Sequence, residues 1–326
     1  MQKTLEPFLP NIIAQLGAET ILSIEKMQSL WSDYGAIFRL KLHGGDFPSV
    51  VVKCIALQEK DNHPRGWATN RSHQRKLKSY QIENYWYENY AGLLPDSVKL
   101  PRLLYSEHRS TAQVLVLEDL TISYPELKQF CTYEEAKTVI KWLAGFHARF
   151  INSSAKGLWH TGSYWHLDTR PEEWEAMKAG LLKENAKELD RALNEAKYQT
   201  IIHGDAKVAN FCFGPNNQVA GLDFQYVGKG IGVKDLAYFI GSCFTSDECE
   251  LYENSLLDFY FEEFGKSVNG LNNQEKADLE KEWRQLYPVA WADFNRFLMG
   301  WLPGHQKLHD HALAKNEEAL EYLKNE

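Results

Sequence analysis

Several things are scarce in this sequence, and each scarcity excludes a class of protein. Cysteine occurs five times in 326 residues (Cys54, Cys131, Cys212, Cys243 and Cys249), an odd number, scattered and mostly in apolar surroundings. That usage fits buried free thiols in a reducing compartment and not a disulfide framework or a zinc site. No apolar run approaches the roughly 20 residues that a membrane-spanning helix needs. The opening Met1-Gln2-Lys3-Thr4-Leu5-Glu6-Pro7 lacks the apolar core of a secretory signal. The expectation is a soluble, cytoplasmic chain with no membrane partner. Positive charge is also short: 36 Lys and Arg face 44 Asp and Glu, a net −8, which argues against nucleic acid as a partner. There is no internal repeat, low-complexity tract or long linker. The glycine run Gly228-Lys229-Gly230-Ile231-Gly232 lacks the preceding strand and the spacing of a dinucleotide fingerprint. It reads as a tight loop, and a nicotinamide-dependent oxidoreductase loses its main support.

What is present is globular: 44% hydrophobic and 13% aromatic residues. A chain of this length exceeds one ordinary core, so two domains are expected, 1–118 and 119–326. Charge is divided unevenly between them. Residues 1–118 hold 14 basic and 12 acidic side chains, or +2, and residues 119–326 hold 22 and 32, or −10. The acidic second part is read as solvated surface.

The first part is β-rich after a short opening helix over 5–17. Alternation from Thr20, through Ala36–Leu42 and again over Pro48–Ile55, is broken by turns at Leu30–Gly35 and His43–Asp46, which predicts a β-meander. Lys53 interrupts an otherwise apolar strand. A polar, basic loop over 58–75 leads to a helix from Lys76 to Leu94, in which Glu83 stands among aromatic residues and offers Lys53 a partner. Val98–Tyr105 is extended, and Gln113–Leu120 reads as a buried strand ending in Glu118 and Asp119. Thereafter helices dominate. Thr132 and Glu135 form a capping box for a helix to about Phe150, in which His147 reads as a core histidine. An aromatic loop follows, then an acidic helix over 171–197. Trp283, Tyr287, Trp291, Phe294, Phe297 and Trp301 recur at helical spacing, with Pro288 set to start or kink the helix. His305, His309 and His311 lack the acid or cysteine pattern of a metal site.

The chain is organised around Ile201-Ile202-His203-Gly204-Asp205-Ala206-Lys207-Val208-Ala209-Asn210-Phe211-Cys212-Phe213 and, after Gly214-Pro215-Asn216-Asn217, Val219-Ala220-Gly221-Leu222-Asp223-Phe224-Gln225. Two apolar runs around a polar turn predict a β-hairpin-like unit. Packing of a hairpin needs none of His203, Asp205, Lys207, Asn210 or Asp223. Phosphoryl transfer needs several, because that chemistry is mostly positioning and charge neutralisation. Asn210 and Asp223 offer hard oxygen ligands for Mg2+. Asp205 is then left to orient and deprotonate an acceptor hydroxyl. Lys207 adds a cation where γ-phosphate charge develops, and Lys53, held by Glu83, would neutralise α- and β-phosphates. His203 is the remaining candidate for the catalytic loop, as a brace before a proton carrier.

His203-Gly204-Asp205 with Asn210, and Leu222-Asp223-Phe224, resemble the catalytic and metal motifs of the aminoglycoside phosphotransferase and choline kinase superfamily. The finer pattern His73-Gln74-Arg75-Lys76-Leu77-Lys78-Ser79-Tyr80 with Glu83, Asp223-Phe224-Gln225 and Asp235-Leu236-Ala237-Tyr238 resembles its ecdysteroid-kinase-like branch. The resemblance runs from Lys53 to about Phe244. It implies an α+β, bilobal protein-kinase-like fold, with a β-rich N-terminal lobe, a mainly helical C-terminal lobe and ATP between them. It implies Asp205 as catalytic base, Asn210 and Asp223 as Mg2+ ligands, and Lys53 with Glu83 as the nucleotide-anchoring pair. Glu118 to Leu120 match the segment that receives adenine through backbone groups. The glycine-rich phosphate loop of protein kinases is reduced here to Gly35, and Lys207 departs from the superfamily pattern. The expected activity is phosphorylation of a small hydroxylated molecule. The acceptor stays open between a choline-like amine held by Trp291 and Trp301, an aminoglycoside and a steroid-like alcohol. A non-catalytic nucleotide-binding module is the alternative.

Overall fold

The computed structural model describes residues 2–30, 34–56 and 70–325. Within the expected turn at Leu30–Gly35, residues 31–33 lie outside the described residues, as does 58–69 of the expected basic loop. The chain divides into two compact units, Met1–Leu93 with Leu100–Pro125, and Leu94–Lys99 with Glu126–Glu326. The division thus falls after Pro125, where the sequence suggested a boundary after Glu118, and residues 94–99 join the second unit.

In the first unit, helices α1 (Gln2–Leu5) and α2 (Leu9–Leu16) precede strands β1 (Thr20–Ser29), β2 (Gly35–His43) and β3 (Ser49–Ala56), helix α3 (Asn70–Asn89), and strands β4 (Leu103–His108) and β5 (Ala112–Glu118). The strands form one antiparallel sheet in the order β1-β2-β3-β5-β4. Side chains alternate faces along a strand. Val50, Val52 and Cys54 of β3 therefore join Phe38, Leu40, Val114 and Val116 against Phe8, Ile12 and Leu16 at the N-terminus. The opposite face holds Ile55, Leu30, Tyr34 and Tyr80 of α3. Residues 70–75, expected in the basic loop, are already the first turns of α3. Their helical turn is continuous with the aromatic face that docks on the sheet.

The second unit contains β6 (Glu126–Leu127), α4 (Tyr133–Arg149), the short helices α5 (Pro171–Ala176), α6 (Leu181–Glu184) and α7 (Ala186–Glu195), strands β7 (Thr200–Ile202), β8 (Phe211–Gly214), β9 (Gln218–Gly221) and β10 (Gly228–Gly230), and helices α8 (Gly232–Cys243), α9 (Ser246–Ser267), α10 (Asn273–Trp301) and α11 (Asp310–Lys324). The capping box at Thr132 and Glu135 is present, with both reciprocal bonds. Pro288 stands inside α10. All five cysteines are free and buried.

Two expectations are corrected. The acidic stretch 171–197 is three short helices because the backbone turns extended at Met177 (φ −59°, ψ 144°) and Gly180. Lys183 Nζ closes that bend by donating to the carbonyls of Glu175 (2.8 Å) and Met177 (2.7 Å). The run 201–213 is not one hairpin arm. β8 and β9 form the hairpin, whereas β7 leaves it and pairs antiparallel with β10. Gly228–Gly230 is accordingly a strand and not a tight loop. No helix among the described residues is long and apolar enough to cross a membrane.

Candidate active site

In the first unit, β3 and α3 bring Lys53 and Glu83 together. Lys53 shares its sheet face with Ile55, and Glu83 lies one helical turn beyond Tyr80, so both side chains enter the same layer. Lys53 Nζ donates to Glu83 Oε2 at 2.5 Å, and the side chains are 7% and 4% exposed. Its ammonium also lies 5.7 Å from the centre of the Tyr80 ring. A charge pair this deep is held by mutual attraction against a large desolvation cost, and a phosphate oxygen is a natural further partner for the ammonium. Gly35, at φ 156°, starts β2 opposite Ile55, where a Cβ would run into the Cys54 carbonyl and stand 3.0 Å from Ile55 Cα. Close approach of β2 to β3 alone thus requires glycine there. At the end of β5, Glu118 donates its N–H to the Arg102 carbonyl (2.9 Å) and accepts from the Arg102 guanidinium (3.4 Å). Leu120 is buried, and its carbonyl accepts from Ser123 and Tyr124. Asp119 between them is fixed by Arg39 Nε and Ser49 Oγ, both at 2.8 Å.

In the second unit, the loop after β7 is built from both ends. Gly204 has φ 77°, and a Cβ there would stand 2.9 Å from Ser163 N, so only glycine fits. The buried carboxylate of Asp235, in the first turn of α8, accepts from His203 N (2.6 Å) and Gly204 N (2.9 Å). The ring of His147 meets it at 3.1 Å through Nε2 and reaches Tyr260 Oη at 2.9 Å through Nδ1. His147 is therefore the core histidine expected, with both nitrogens engaged. His203 is fully buried; its Nε2 donates to the Leu222 carbonyl at 2.9 Å, and its Nδ1 accepts from Asp205 N at 3.3 Å. Both nitrogens are spent on backbone. Of the two roles expected for His203, these bonds are those of a brace for the loop.

Asp205, 6% exposed, is held at one oxygen. Its Oδ2 accepts from Lys207 Nζ and from Asn210 Nδ2, each at 3.0 Å. Asn210 Nδ2 also donates to the Asp205 carbonyl at 2.7 Å. Asp205 Oδ1 is buried and has no hydrogen-bond partner among the described residues. Burial opposes the charge of Lys207, but Asp205 and then Asp223 outweigh it and raise its pKa above the ordinary value. Asp223 follows β9 in the left-handed region, at φ 64°, a conformation that aspartate tolerates better than most residues. Its Oδ1 accepts from Gln225 Nε2 at 2.6 Å. The Asn210 carbonyl accepts from Leu222 N at 2.8 Å, which ties the two segments together. The bonds of the Asn210 amide nitrogen leave its oxygen as the group to offer a ligand. With the Asp223 carboxylate this makes an all-oxygen donor set, which suits a hard divalent cation. Among the described residues no three His, Cys, Asp or Glu side chains gather into a metal cluster, so such an ion would need further oxygens, such as those of phosphates.

Four residues around the Asp205 loop were given no site role from the sequence, although Asp235 and Tyr238 stand in a motif quoted there. Tyr164 N donates to the Gly204 carbonyl at 3.1 Å, and Tyr238 Oη donates to Tyr164 Oη at 3.3 Å. Burial, with Asp205 adding to it, raises both phenols above their usual value. Lys307, between α10 and α11, sits 4.5 Å from the centre of the Tyr238 ring. Burial lowers its pKa to about 8, against the pull of Asp205. Asp235 had a sequence signal, a charged pair Lys234-Asp235 opening an apolar helix; Lys307 had none. The proposed aromatic cage is not assembled. Trp291 is buried against Tyr287, His309 and His311, whereas Trp301 stacks on Phe297 and lies against His305.

The ecdysteroid kinase-like family model matches residues 150–273, less than half of the chain. No curated protein matches it in sequence. Among solved structures, an amicoumacin kinase in complex with AMP-PNP, Ca2+ and Ami superposes with a TM-score of 0.53 at 10% identity, covering 100% of this chain and 96% of that one. The macrolide 2'-phosphotransferase of Brachybacterium faecium, as apoenzyme, gives 0.50 at 14% identity and 99% of each chain. The streptomycin-ATP-APH(2")-IIa ternary complex gives 0.50 at 14% identity, covering 96% and 97%. At these identities the likeness is one of fold: the chain has the α+β kinase-like fold, a β-rich unit and a mainly helical one.

Proposed function

We propose, proceeding from that fold, that the protein is an ATP- and Mg2+-dependent kinase that transfers the γ-phosphate to a hydroxyl of a small molecule. The observation that carries this reading is Asp205: one carboxylate oxygen is anchored by Lys207 and Asn210, and the other is buried with no partner at hydrogen-bond distance among the described residues, the Tyr238 phenol being a neighbour of the carboxylate. An acceptor hydroxyl donating to that oxygen would be oriented for attack and would lose its proton to it as the new P–O bond forms and the bond from the γ-phosphorus to the departing ADP oxygen breaks. Lys207 then stands two residues from the base as a cation for charge developing on the transferred group. Asn210 and Asp223 would hold the metal, which when bound neutralises phosphate charge. Lys53, fixed by Glu83, is assigned to the α- and β-phosphates, Gly35 to the loop near them, and Glu118 to Leu120 to adenine. An intact Lys53, Asp205, Asn210 and Asp223 favour catalysis over the alternative of a nucleotide-binding pseudokinase.

The test is Asp205→Asn in an ADP-release screen over small alcohols, with nucleotide binding read by thermal shift. Turnover is expected to fall by about 10³-fold or more while the MgATP-induced shift persists. Turnover within tenfold of the wild type would remove Asp205 as the base. A nucleotide-induced shift with no transfer by the wild type to any alcohol would favour the pseudokinase.

A further inference from the structure

The surroundings of Asp205 carry a charge pattern that bears on the acceptor. Beside it lie the aromatic rings of Tyr164 and Tyr238. Tyr164 packs edge-on against Tyr226 and Phe297, and Tyr238 against Phe294, with centroid separations of 5.9, 5.4 and 4.7 Å. Over these rings stands Lys307, its ammonium 4.5 Å from the centre of Tyr238 and 5.7 Å from that of Phe294. It makes no salt bridge with a carboxylate among the described residues, and Asp205 acts on it only as a field. Two buried carboxylates of the same unit are already paired with cations: Glu173 Oε1 with Arg170 at 2.9 Å, its Oε2 having no hydrogen-bond partner among the described residues, and Asp293 with Arg296 at 2.7 Å and Lys234 at 3.3 Å. A cationic acceptor entering here would find rings already occupied by a lysine, and Glu173 and Asp293 already paired with cations of the chain. A neutral ring system would find aromatic walls, and an anionic group would find an ammonium in want of a partner.

We propose that Lys307 selects the acceptor by charge, so that the alcohol taken by Asp205 carries no cationic group and binds best when it bears a carboxylate. The inference rests on the kinase reading for the position of the hydroxyl. It concerns binding, so the two fail separately. The probes are three para-substituted benzyl alcohols that differ only in the tail: carboxylate, methyl and trimethylammonium. Their affinities for the full chain are measured by ligand-observed NMR titration with AMP-PNP and Mg2+ present, and ADP release with ATP is followed in parallel. The expected order is carboxylate, then methyl, then trimethylammonium, with roughly tenfold between the extremes, as expected for one charge a few ångströms from another in a partly desolvated site. Lys307→Gln should flatten the order and Lys307→Glu should reverse it. If the glutamate variant does not fold, the glutamine variant, which keeps the side-chain stem, decides. Equal or tighter binding of the trimethylammonium compound by the wild type, an order unchanged in Lys307→Gln, or binding of none of the three would overturn the proposal. The expected order of binding without any ADP release would instead count against the kinase reading.

Discussion

The carboxylate of Asp235 offers the sharpest test of how the loop is held. It is fully buried and meets three donors: His203 N and His147 Nε2 at Oδ2, and Gly204 N at Oδ1. Asparagine has nearly the same shape but only one accepting oxygen. Placing that oxygen at the Oδ2 position keeps two partners and turns the amide nitrogen toward the Gly204 N–H, donor against donor. The opposite flip sets it against two donors, so the first arrangement is favoured. One buried N–H is then left unsatisfied, at about 1–3 kcal/mol, and the surviving bonds lose the reinforcement of a full charge. Asp235→Asn should therefore destabilise the second unit by about 2–4 kcal/mol. Urea titration followed by tryptophan fluorescence measures the total. Hydrogen exchange of a peptide containing Gly204 should show its amide losing protection ahead of the helices. A loss under about 0.5 kcal/mol with unchanged protection at Gly204 would refute the assignment.

Further outcomes follow from the buried charges. Lys53→Met and Glu83→Gln should each cost the first unit roughly 3–5 kcal/mol, because each breaks a buried ion pair. The double variant should cost clearly less than their sum in a urea double-mutant cycle; strict additivity would mean that the ion pair contributes nothing. Asp293 is held at a pKa of about 2: burial works to raise it, and Arg296, then Lys234, prevail. The unfolded carboxylate binds its proton at higher pH, so this stabilisation is complete above about pH 4 and is lost as pH falls toward 2, amounting to about 2–3 kcal/mol. In Asp293→Asn that part of the stability–pH curve should disappear; a curve that kept its slope would assign the acid sensitivity elsewhere.

Local rules made much of the molecule legible. Alternation located the meander, the Thr132 and Glu135 spacing located a helix start, and a lysine within an apolar strand found its glutamate on the following helix. What stayed hidden depends on partners far apart in sequence. Nothing near Asp235 reveals that it will bind the backbone at 203 and 204, and nothing near Asp293 reveals Lys234 and Trp165, whose Nε1 donates to it at 2.9 Å. The glycines of β10 looked like loop residues because strand propensity disfavours glycine. They are tolerated because Trp159 and Ile202 approach them too closely for a side chain. Trp291 and Trp301 share a helical stripe, yet the turns of α10 face different neighbours, and a spacing argument cannot separate a core tryptophan from a lining one.

The six residues 94–99 have a consequence for how the chain is made. They belong with the second unit: the Lys99 carbonyl accepts from Trp142 Nε1 at 2.7 Å and from Gly221 N at 3.0 Å, and Lys99 bridges to Ala220. Ala220 leaves the ribosome 121 residues after Lys99, a delay of roughly 6–25 s at ordinary elongation rates. During that interval strands β4 and β5 are completed, and the segment before them waits without its partner. No single cut in the gene can separate the two units, since wherever it falls one of the halves lacks a piece of its own unit. Each nascent chain must return to Lys99 late, when the strand that carries the Asp223 turn has emerged.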